Sequence, residues 1–468
     1  MPDFDGLTSR FSDAWGSVLR LAQTGKKILI VTHIDADGLT SGSIVFSTLM
    51  RADANVSIRC IPDLDPLRIT ELVSLNYDFH IFTDLASTLL SELESAFGGR
   101  FLVIDHHQLS KDDETRPTVV NAWHYGYDGG KEACSSTMAY FLAAAASASN
   151  RDLAPLAVVG AVSDRQDVGK DRSLTGLNRI ALEEARSAGL VASSKDILFT
   201  GRETRPIHEA VALTSTPYLP GLSGSKDRVL AVLHQSGLRL KDGATWRTIS
   251  SLDSEEKGKL IDAIAGALSS TEGATDAMAA LSGEVYTLSY EDAFTPLRDA
   301  REYGTLLNAC GRMNSTGVGV AVCLGDRSTD LNQAIGTLTD YRIEISRALE
   351  SLYDNPSRFQ DRGKMVIVRA EGLVDEKLLG PVTSILTSSQ TYKNRILVTL
   401  ASSRNEELKV SSRVGDSFQG EVNLGLLMRD AAKAVKGVGG GHTMAAGARI
   451  PSGEVESFVS LVSEKVNA

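Results

Sequence analysis

Short apolar runs alternate with helical stretches through the first 190 residues of the chain. Residues 27–31, 79–83 and 100–104 are rich in Ile, Leu, Val and Phe, typical of strands buried on both faces of a parallel sheet. Apolar residues three or four apart predict an amphipathic helix over residues 7–22. This alternation of strand and helix predicts a doubly wound parallel-sheet α/β domain over residues 1–190.

The pattern loosens after this domain and then returns. Residues 191–355 mix loops with helices and are predicted to form a helical or mixed insertion, with one helix starting at the N-cap Asp253 and a longer one over 331–352. Residues 356–468 are predicted to form a second, smaller α/β domain. Its expected strands are 365–368, 396–400 and 408–410.

Composition and charge limit the classes of protein. Hydrophobic residues make up 42% of the chain and charged residues 23%, near the averages for globular proteins. No apolar run approaches the roughly 20 residues needed to cross a bilayer, so a cytoplasmic protein is expected. The net charge of −11 argues against coating of nucleic acid through bulk positive charge. The four cysteines have no CxxC spacing, which argues against a zinc cage or a disulfide framework.

Polar side chains follow each of the apolar runs in the first domain. The carboxyl ends of parallel strands lie at one edge of an open α/β sheet, and ligands bind in the crevice outside that edge. We therefore expect the side chains after the three strands to lie close together, with Asp164, after the apolar stretch 153–162, as a further member. The candidates are His33, Asp35, Asp37, Asp84, Asp105, His106, His107 and Asp164.

Six of these side chains are the ligand types of a two-metal centre. Carboxylates with a minority of imidazoles suit Mn²⁺ or Mg²⁺, whereas a zinc site usually contains more Cys or His. Two such cations about 3.5 to 4 Å apart can stabilise the attacking and leaving oxygens of a displacement at phosphorus. Asp84 is the predicted bridging ligand, because it comes alone from the strand between the other two in sequence. The six candidate ligands are His33, Asp35, Asp37, Asp84, His106 and Asp164.

Each motif also has an ordinary structural interpretation. An isolated Asp-x-Asp-Gly after a strand is more often a turn with an Asx hydrogen bond. Asp-His-His is compatible with a surface loop, and Asp164 with a helix cap or an ion pair with Arg165. The conjunction favours a metal centre, because three successive strands that each end in acid or imidazole rarely arise by chance.

The same residues resemble the motifs of a known family. His33-x-Asp35-x-Asp37-Gly38, Asp84, Asp105-His106-His107 and Asp164 are similar to the four motifs of the DHH phosphoesterases. Gly439-Gly440-Gly441-His442 resembles the signature of the DHHA1 domain that follows them. The resemblance implies Mn²⁺-dependent phosphoester hydrolysis by a DHH domain, with a DHHA1 domain after it.

The resemblance also implies roles for individual residues. The ligands of two Mn²⁺ ions, with Mg²⁺ as the alternative, would be Asp35, Asp37, Asp84, His106 and Asp164. His33 is the sixth candidate ligand, at a position where members of the family differ. His107 would face the substrate phosphate. Asp105 would orient an imidazole, and a capping or turn role is its alternative.

The DHHA1-like domain is expected to hold the substrate. Three consecutive glycines, Gly439, Gly440 and Gly441, can turn backbone N–H groups inward as an anion-binding nest. His442 and Arg413 are the side chains that would contact phosphate. A glycine-rich turn alone is more often a tight loop, and the DHH-type domain before it is what favours substrate binding.

The middle region distinguishes the subfamilies. Short DHH-DHHA1 proteins that cleave nanoRNA, cyclic dinucleotides or nucleoside bisphosphates have no comparable insertion. Residues 296–312 resemble the archaeal RecJ-like nucleases, including the GINS-associated nuclease. On a helix, this segment would form a polar stripe suited to the backbone of a single strand, and a solvated helix face is the alternative. The stripe contains Arg298, Arg301, Thr305, Asn308 and Arg312.

The function predicted from these features is a Mn²⁺-dependent, RecJ-like exonuclease that trims single-stranded DNA or RNA from an end, without a membrane partner. Resemblance to RecJ indicates 5′-to-3′ polarity on DNA. Two alternatives stay open: a phosphodiesterase for cyclic or very short oligonucleotides, and a replication scaffold bound to GINS. The presence of every expected ligand argues against a purely structural scaffold, and GINS is a candidate partner of an active enzyme as well.

Overall fold

The computed structural model describes residues 2–109, 116–214, 217–269, 274–389 and 391–467. They belong to two units, each described by itself. Unit 1 comprises residues 1–205, 247–252 and 282–338, and unit 2 comprises residues 206–246, 253–281 and 339–468.

Strands and helices alternate through the first part of unit 1. The elements are α1 (Phe4–Gln23), β1 (Lys27–His33), α2 (Ala36–Arg51), β2 (Asn55–Ile61), α3 (Pro66–Ser74), β3 (Phe79–Thr83), α4 (Leu90–Phe97), β4 (Phe101–Asp105), β5 (Val119–Asn121), α5 (Ser135–Ala146), α6 (Ala154–Ser163), α7 (Gly176–Ser187) and β6 (Val191–Ile197).

The first five strands form one parallel sheet in the order β2-β1-β3-β4-β5. Leu29 and Val31 of β1 pack with Phe82 and Val103 on one face, against α3 and α4, whereas Ile28 is buried on the other face. The chain leaves β1 for β2 on one side and returns to β3 on the other. The carboxyl ends of β1 and β3 therefore flank a topological switch point, where doubly wound sheets bind ligands.

The middle of the chain is mostly helical. Its elements are α8 (Ile207–Leu213), α9 (Lys226–Gln235), β7 (Lys241–Asp242), β8 (Thr245–Trp246), α10 (Ser254–Leu268), α11 (Ala274–Ala280), β9 (Ser282–Leu288), α12 (Ala300–Arg312), α13 (Thr316–Cys323) and α14 (Thr329–Tyr353). Asp253 caps α10 in a capping box with Glu256, as its sequence predicts. β6 pairs antiparallel with β9, which ties the end of the first α/β segment to the start of the segment that carries α12.

The last part of unit 2 is a smaller α/β layer structure. Its elements are β10 (Phe359–Arg362), β11 (Met365–Arg369), α15 (Leu379–Thr387), β12 (Ile396–Ser402), β13 (Glu407–Val414), α16 (Leu424–Ala434), β14 (Val438–Gly441), β15 (Ala445–Pro451) and α17 (Val455–Asn467). The sheet order is β10-β11-β12-β13-β15-β14. Met365 and Ile367 pack towards α16 and α17, whereas Val366 and Val368 pack towards α14 and α15, so helices cover both faces.

The predicted fold class is confirmed: a parallel sheet with helices on both faces, a mixed middle region and a smaller C-terminal α/β unit. The division into domains 1–190, 191–355 and 356–468 stays a prediction. The structure shares residues 191–355 between the two units instead of placing them in one insertion. Among the described residues, no helix has both the length and the hydropathy needed to cross a bilayer.

Candidate metal centre

The turn from β1 into α2 brings three candidate ligands to the edge of the parallel sheet. His33 ends β1, Asp35 is the N-cap of α2, and Asp37 lies in its first turn. Asp35 Oδ1 accepts a hydrogen bond from Gly38 N at 3.0 Å, and His33 Nδ1 lies 2.8 Å from Asp35 Oδ2. Any side chain at Gly38 would clash, because a Cβ would lie 2.4 Å from His33 O. The Asx turn and the ligand motif are thus the same structure.

Asp37 is fixed by the N-terminus of α5. Its Oδ2 accepts from Ser135 N at 2.8 Å and its Oδ1 from Ser136 N at 2.9 Å, and the Ser136 hydroxyl donates to Oδ1 as well. Helix N-termini favour anions, because their first N–H groups are unpaired within the helix. These bonds hold a carboxylate that is only 3% exposed.

Asp84 lies between the two histidine-bearing segments. Its Oδ2 is 3.5 Å from His33 Nδ1, and its Oδ1 is 3.3 Å from His106 Nε2. Its backbone has a φ of +61°, a left-handed conformation that is costly for a residue with a side chain. Strain of this kind is concentrated at functional sites, and here it turns the carboxylate off the end of β3 towards both neighbours.

Asp105 acts as an organiser of the two histidines that follow it. Its Oδ1 accepts from the backbone N–H groups of His106 and His107, at 2.8 and 3.2 Å, and from His107 Nδ1 at 2.8 Å. Its Oδ2 accepts from Ser87 N at 3.1 Å. Burial alone would raise the pKa of Asp105, but His107, His106 and Ser87 hold it below its usual range. Asp105 is therefore an ionised orienting group behind His107.

The hydrogen bond of His106 defines its tautomer. Nδ1 lies 2.5 Å from Gly129 O, a carbonyl oxygen that can only accept, so Nδ1 carries a proton. Nε2 then points at the carboxylates: it lies 3.3 Å from Asp84 Oδ1 and 3.8 Å from both Asp37 Oδ2 and Asp164 Oδ2. One imidazole nitrogen and three carboxylates thus converge on the same buried space.

The electrostatics of this cluster favour a bound cation. Burial, together with repulsion from Asp84, raises the pKa of Asp37 to about 6. Burial and the nearby Asp37 raise the pKa of Asp164 to about 6 as well. Burial would lower the pKa of His33, but Asp35 and Asp84 raise it to about 10. Crowded carboxylates and imidazoles retain protons in this way unless a metal ion neutralises them, and hard divalent cations prefer this donor set.

All six predicted metal ligands come together at this edge, in three groups of which the third shares Asp84 with the first and His106 with the second. His33, Asp35 and Asp84 can place ligand atoms within 4.8 Å of one another, and Asp37, His106 and Asp164 can do the same. Asp84 also groups with Asp105, His106 and His107. Asp164 is the C-cap of α6, the helix formed by the apolar stretch that precedes it.

The predicted polar stripe is broken in the structure. Arg298 precedes α12, because Asp299 is the N-cap of that helix. The guanidinium of Arg298 donates to the carbonyls of Ser289 and Glu291. Arg301 donates to Asp167 Oδ2 at 2.6 Å and to Glu284 O at 3.0 Å. The predicted substrate-binding side chains Arg298 and Arg301 thus have contacts within unit 1 that hold loops and helices together.

The second half of α12 lies against the metal-ligand turn. Asn308 Oδ1 accepts from Ala36 N at 3.0 Å, and a Cβ on Gly311 would lie 1.8 Å from Ile34 O. Arg312 is close enough for its charge to contribute to a lowered pKa of Asp35. Asn308 was predicted to lie in a polar stripe, and Gly311 was not among the predicted site residues. A sequence signal for this packing exists for Gly311, which lies four residues after the buried Leu307 on α12.

The predicted glycine nest is a strand instead of a turn. Gly439, Gly440 and Gly441 belong to the edge strand β14, which pairs antiparallel with β15. The absence of side chains lets α16 pack on β14, because a Cβ on Gly439 would lie 2.4 Å from Met428 O. The glycines are explained by this close approach, and in this conformation their N–H groups do not converge as a nest does.

His442 and Arg413 lie in the same sheet of unit 2. His442 follows β14, and its backbone N–H donates to Ala445 O at 2.8 Å. Arg413, on β13, donates from Nε to Ser384 Oγ at 3.1 Å and from Nη1 to Ser412 O at 2.8 Å. Both side chains are half-buried, and their contact with a substrate stays a prediction.

Domain families match three separate parts of the chain. The DHH family N-terminal domain matches residues 27–161, the DHH-CID domain residues 198–278 and the DHHA1 domain residues 363–468. An uncharacterised protein of Methanocaldococcus jannaschii is 27% identical over 93% of this chain and 92% of its own length.

Solved structures share the fold. RecJ of Thermus thermophilus in complex with Mn²⁺ matches 97% of this chain with a TM-score of 0.60 and 16% identity, and this chain spans only 54% of the RecJ chain. The same RecJ has been solved with Mg²⁺, with a TM-score of 0.54. CDC45 of Entamoeba histolytica matches 98% of this chain and 99% of its own, with a TM-score of 0.65 and 10% identity. The chain therefore contains DHH, DHH-CID and DHHA1 domains in that order along the sequence, and it shares the fold of RecJ and CDC45.

Proposed function

We propose that this protein is a metal-dependent exonuclease that hydrolyses phosphodiester bonds at an end of single-stranded DNA or RNA. One observation carries the proposal: the carboxylates of Asp37, Asp84 and Asp164 converge on His106 Nε2 at the switch point of the parallel sheet. A solved relative of the same fold is a RecJ with bound Mn²⁺, which supports a metal site at this type of sheet.

The proposed metal ions are two Mn²⁺, with Mg²⁺ as the alternative. One would be held by Asp37, His106 and Asp164 and the other by His33 and Asp35. Asp84 would be shared between them, because one of its carboxylate oxygens lies near His33 and the other near His106. Bound divalent cations would supply a nucleophile near neutral pH and stabilise negative charge on phosphate oxygens. Carboxylates and imidazoles, with no cysteine among the six, suit Mn²⁺ better than Zn²⁺.

His107 is the proposed phosphate contact of the DHH domain. Its Nδ1 is engaged by Asp105 Oδ1 at 2.8 Å, which leaves the opposite ring nitrogen directed away from Asp105. Because Asp105 is held ionised, it favours a protonated His107, and the pKa of His107 is raised despite burial. A positively charged imidazole, 38% exposed at its side chain, can donate a hydrogen bond to a phosphate oxygen.

Further phosphate contacts are proposed for Arg312, Arg413 and His442. Arg312 ends α12 beside the metal-ligand turn, which makes it the remaining substrate candidate of the polar stripe. His442 is proposed for the DHHA1 domain on the resemblance of its glycine-rich motif, and Arg413 because its guanidinium can contact phosphate. The preferred polarity is 5′-to-3′ on DNA, which rests on the resemblance to RecJ.

The decisive experiment is a digestion time course with Mn²⁺ on single-stranded DNA and RNA, with 5′ and 3′ labels in parallel. Wild-type protein should release mononucleotides or short products from one end. Asp84→Asn should abolish hydrolysis and remain folded, because it removes one charge without emptying an apolar core. Asp152→Asn is the control, since Asp152 pairs with Arg51 on the surface. Metal-dependent hydrolysis retained by Asp84→Asn would contradict the proposed site.

A ladder of labelled oligonucleotides separates the main alternative, a phosphodiesterase for cyclic or very short substrates. An exonuclease should degrade long and short strands at comparable rates, whereas an enzyme for very short substrates should lose activity steeply with length.

GINS is a proposed protein partner, on the resemblance of residues 296–312 to the GINS-associated nuclease. A pull-down of purified GINS by wild-type protein and by Asp84→Asn tests this independently of hydrolysis. Binding by both variants would support an assembly role that does not need catalysis, and binding by neither would remove GINS as a partner.

A further inference from the structure

A buried amide lies between two of the candidate ligands. Gln166 is fully buried and follows Asp164 after the end of α6. Its Nε2 lies 2.8 Å from Asp164 Oδ2 and 2.9 Å from Gly129 O, the carbonyl that accepts from His106 Nδ1. A single side-chain amide therefore contacts one candidate ligand directly and a second one through a shared acceptor.

The orientation of this amide follows from a chain of hydrogen bonds. Cys134 N can only donate, and it donates to Asn178 Oδ1 at 3.2 Å. The Oδ1 of Asn178 is therefore turned towards α5, and its Nδ2 donates to Gln166 Oε1 at 2.6 Å. With Oε1 committed as an acceptor, the Nε2 of Gln166 must face the oxygens of Asp164 and Gly129. The carbonyls of Gly129 and Ala133, which can only accept, require the same orientation, so Nε2 is the end of Gln166 that meets the metal ligands.

We propose that Gln166 is a positioning residue that holds Asp164 and, through Gly129 O, His106 in the arrangement in which both bind the same metal ion. This inference rests on the proposed function. Without Nε2, the side chain of Asp164 could rotate, since it is 26% exposed and contacts Gln166 on its buried side. The carbonyl of Gly129 would also lose one of two donors that fix it beneath His106. Hydrogen-bond partners of this type usually change metal affinity by about 10-fold to 100-fold.

The test measures Mn²⁺ binding directly, by the electron paramagnetic resonance signal of free Mn²⁺ during titration of the full-length protein. Gln166→Leu should raise the dissociation constant for Mn²⁺ by about 10-fold to 100-fold. Hydrolysis by this variant should recover as Mn²⁺ is raised, and KM for the oligonucleotide should stay unchanged. Asn150→Leu is the matched control, because Asn150 is a buried amide of unit 1 that bonds Arg51 and Ala143 O.

A second variant tests the orientation without removing Gln166. Asn178→Asp keeps the acceptor for Cys134 N but replaces the donor to Gln166 Oε1 with an oxygen. Repulsion between this oxygen and Gln166 Oε1 should displace the amide from Asp164 and Gly129, so Mn²⁺ binding should weaken by about 10-fold even though Gln166 is present. Thermal melting without metal shows whether each variant is folded.

The outcomes are distinct. If Gln166→Leu and Asn178→Asp are folded and bind Mn²⁺ within about twofold of wild type, Gln166 is only structural and the inference is overturned. If Asn150→Leu weakens Mn²⁺ binding as much as Gln166→Leu, the effect is general loss of packing, and the inference is again overturned. If wild-type protein itself does not bind Mn²⁺, the proposed metal function fails. Equal Mn²⁺ binding by wild type and all variants would instead overturn only the role of Gln166.

Discussion

Asn308 and Ala36 are 272 residues apart in sequence, yet Asn308 Oδ1 accepts a hydrogen bond from Ala36 N at 3.0 Å. Ala36 lies between two candidate metal ligands, Asp35 and Asp37. A helix outside all three matched domain segments therefore supports the turn on which the metal centre depends.

Removal of this acceptor should impair the centre. Asn308→Ala leaves a buried N–H without its partner, which costs about 1 to 3 kcal/mol and allows the turn to shift. We expect kcat to fall by about 10-fold, with KM for the strand unchanged. Steady-state kinetics measure this, with Gln333→Ala as the control at an exposed helical position outside the polar stripe. A raised KM with normal kcat would indicate that Asn308 binds the substrate instead.

Gly311 should not tolerate a side chain. An added Cβ would lie 1.8 Å from Ile34 O, and backbone cannot yield as a flexible side chain can. Gly311→Ala should lower the free energy of unfolding by about 2 to 3 kcal/mol. Gly317→Ala is the control, since a Cβ there meets nothing within 4 Å, and it should be neutral or stabilise by up to about 1 kcal/mol. Chemical denaturation of both variants would reveal whether α12 is packed this closely.

A charge removed from the carboxylate cluster should stabilise the metal-free protein. Burial and repulsion from Asp37 raise the pKa of Asp164 to about 6, so at about pH 8 the folded protein holds this carboxylate ionised at a cost in stability. Asp164→Asn should raise the free energy of unfolding by about 1 to 2 kcal/mol in chelator. It should also lose most of the stabilisation that Mn²⁺ gives to wild type. Melting curves with chelator and with Mn²⁺ test both parts, and a lower stability in chelator would contradict the repulsion.

His80 should make the protein sensitive to mild acid. Burial lowers its pKa from 6.5 to about 4, and its ring lies 4.3 Å from that of Phe97. The unfolded chain therefore binds a proton first as pH falls, so stability is lost from about pH 6.5 downwards. Wild type should lose about 1 to 2 kcal/mol more than His80→Leu between about pH 7.5 and pH 5. Equal losses in urea unfolding at the two pH values would rule out this role.

Arg413 should affect substrate binding more than turnover, if the proposed phosphate contact is correct. Arg413→Ala should raise KM for single-stranded DNA by about 10-fold and leave kcat within about twofold. Arg369→Ala is the control. Arg369 lies on β11 of the same sheet as Arg413, and its guanidinium is paired with Glu371 and Glu456. Arg413→Lys should restore binding only in part, since lysine lacks the planar fork that matches phosphate oxygens. An unchanged KM for Arg413→Ala would remove Arg413 from the substrate contacts.

Much of the candidate centre could be predicted from sequence, because it depends on local rules. Apolar runs followed by His33, Asp84 and Asp105 identify buried strands and their ends. The carboxyl ends of parallel strands share one edge, so proximity of those side chains follows from strand direction alone. The capping box at Asp253 was predictable for the same reason, since its partners lie within one helical turn.

Where the structure differs from the sequence expectations, the partners are distant in sequence. Periodicity placed Arg301 on a helix face, but only the fold shows that Asp167 neutralises it. Gly439 to Gly441 have the composition of a nest, but pairing with β15 and packing of α16 make them a strand. Glycine permits either conformation, and tertiary contacts select between them.

The sequence by itself determined the parallel sheet, the set of candidate ligands and their common edge, because strand ends are encoded by neighbouring residues. Only the tertiary structure decided how those ligands are held: Asp37 by the start of α5, Ala36 by Asn308, and Asp164 by Gln166. The physical reason is that a buried hydrogen bond requires its two groups within about 3 Å, a condition that folding sets.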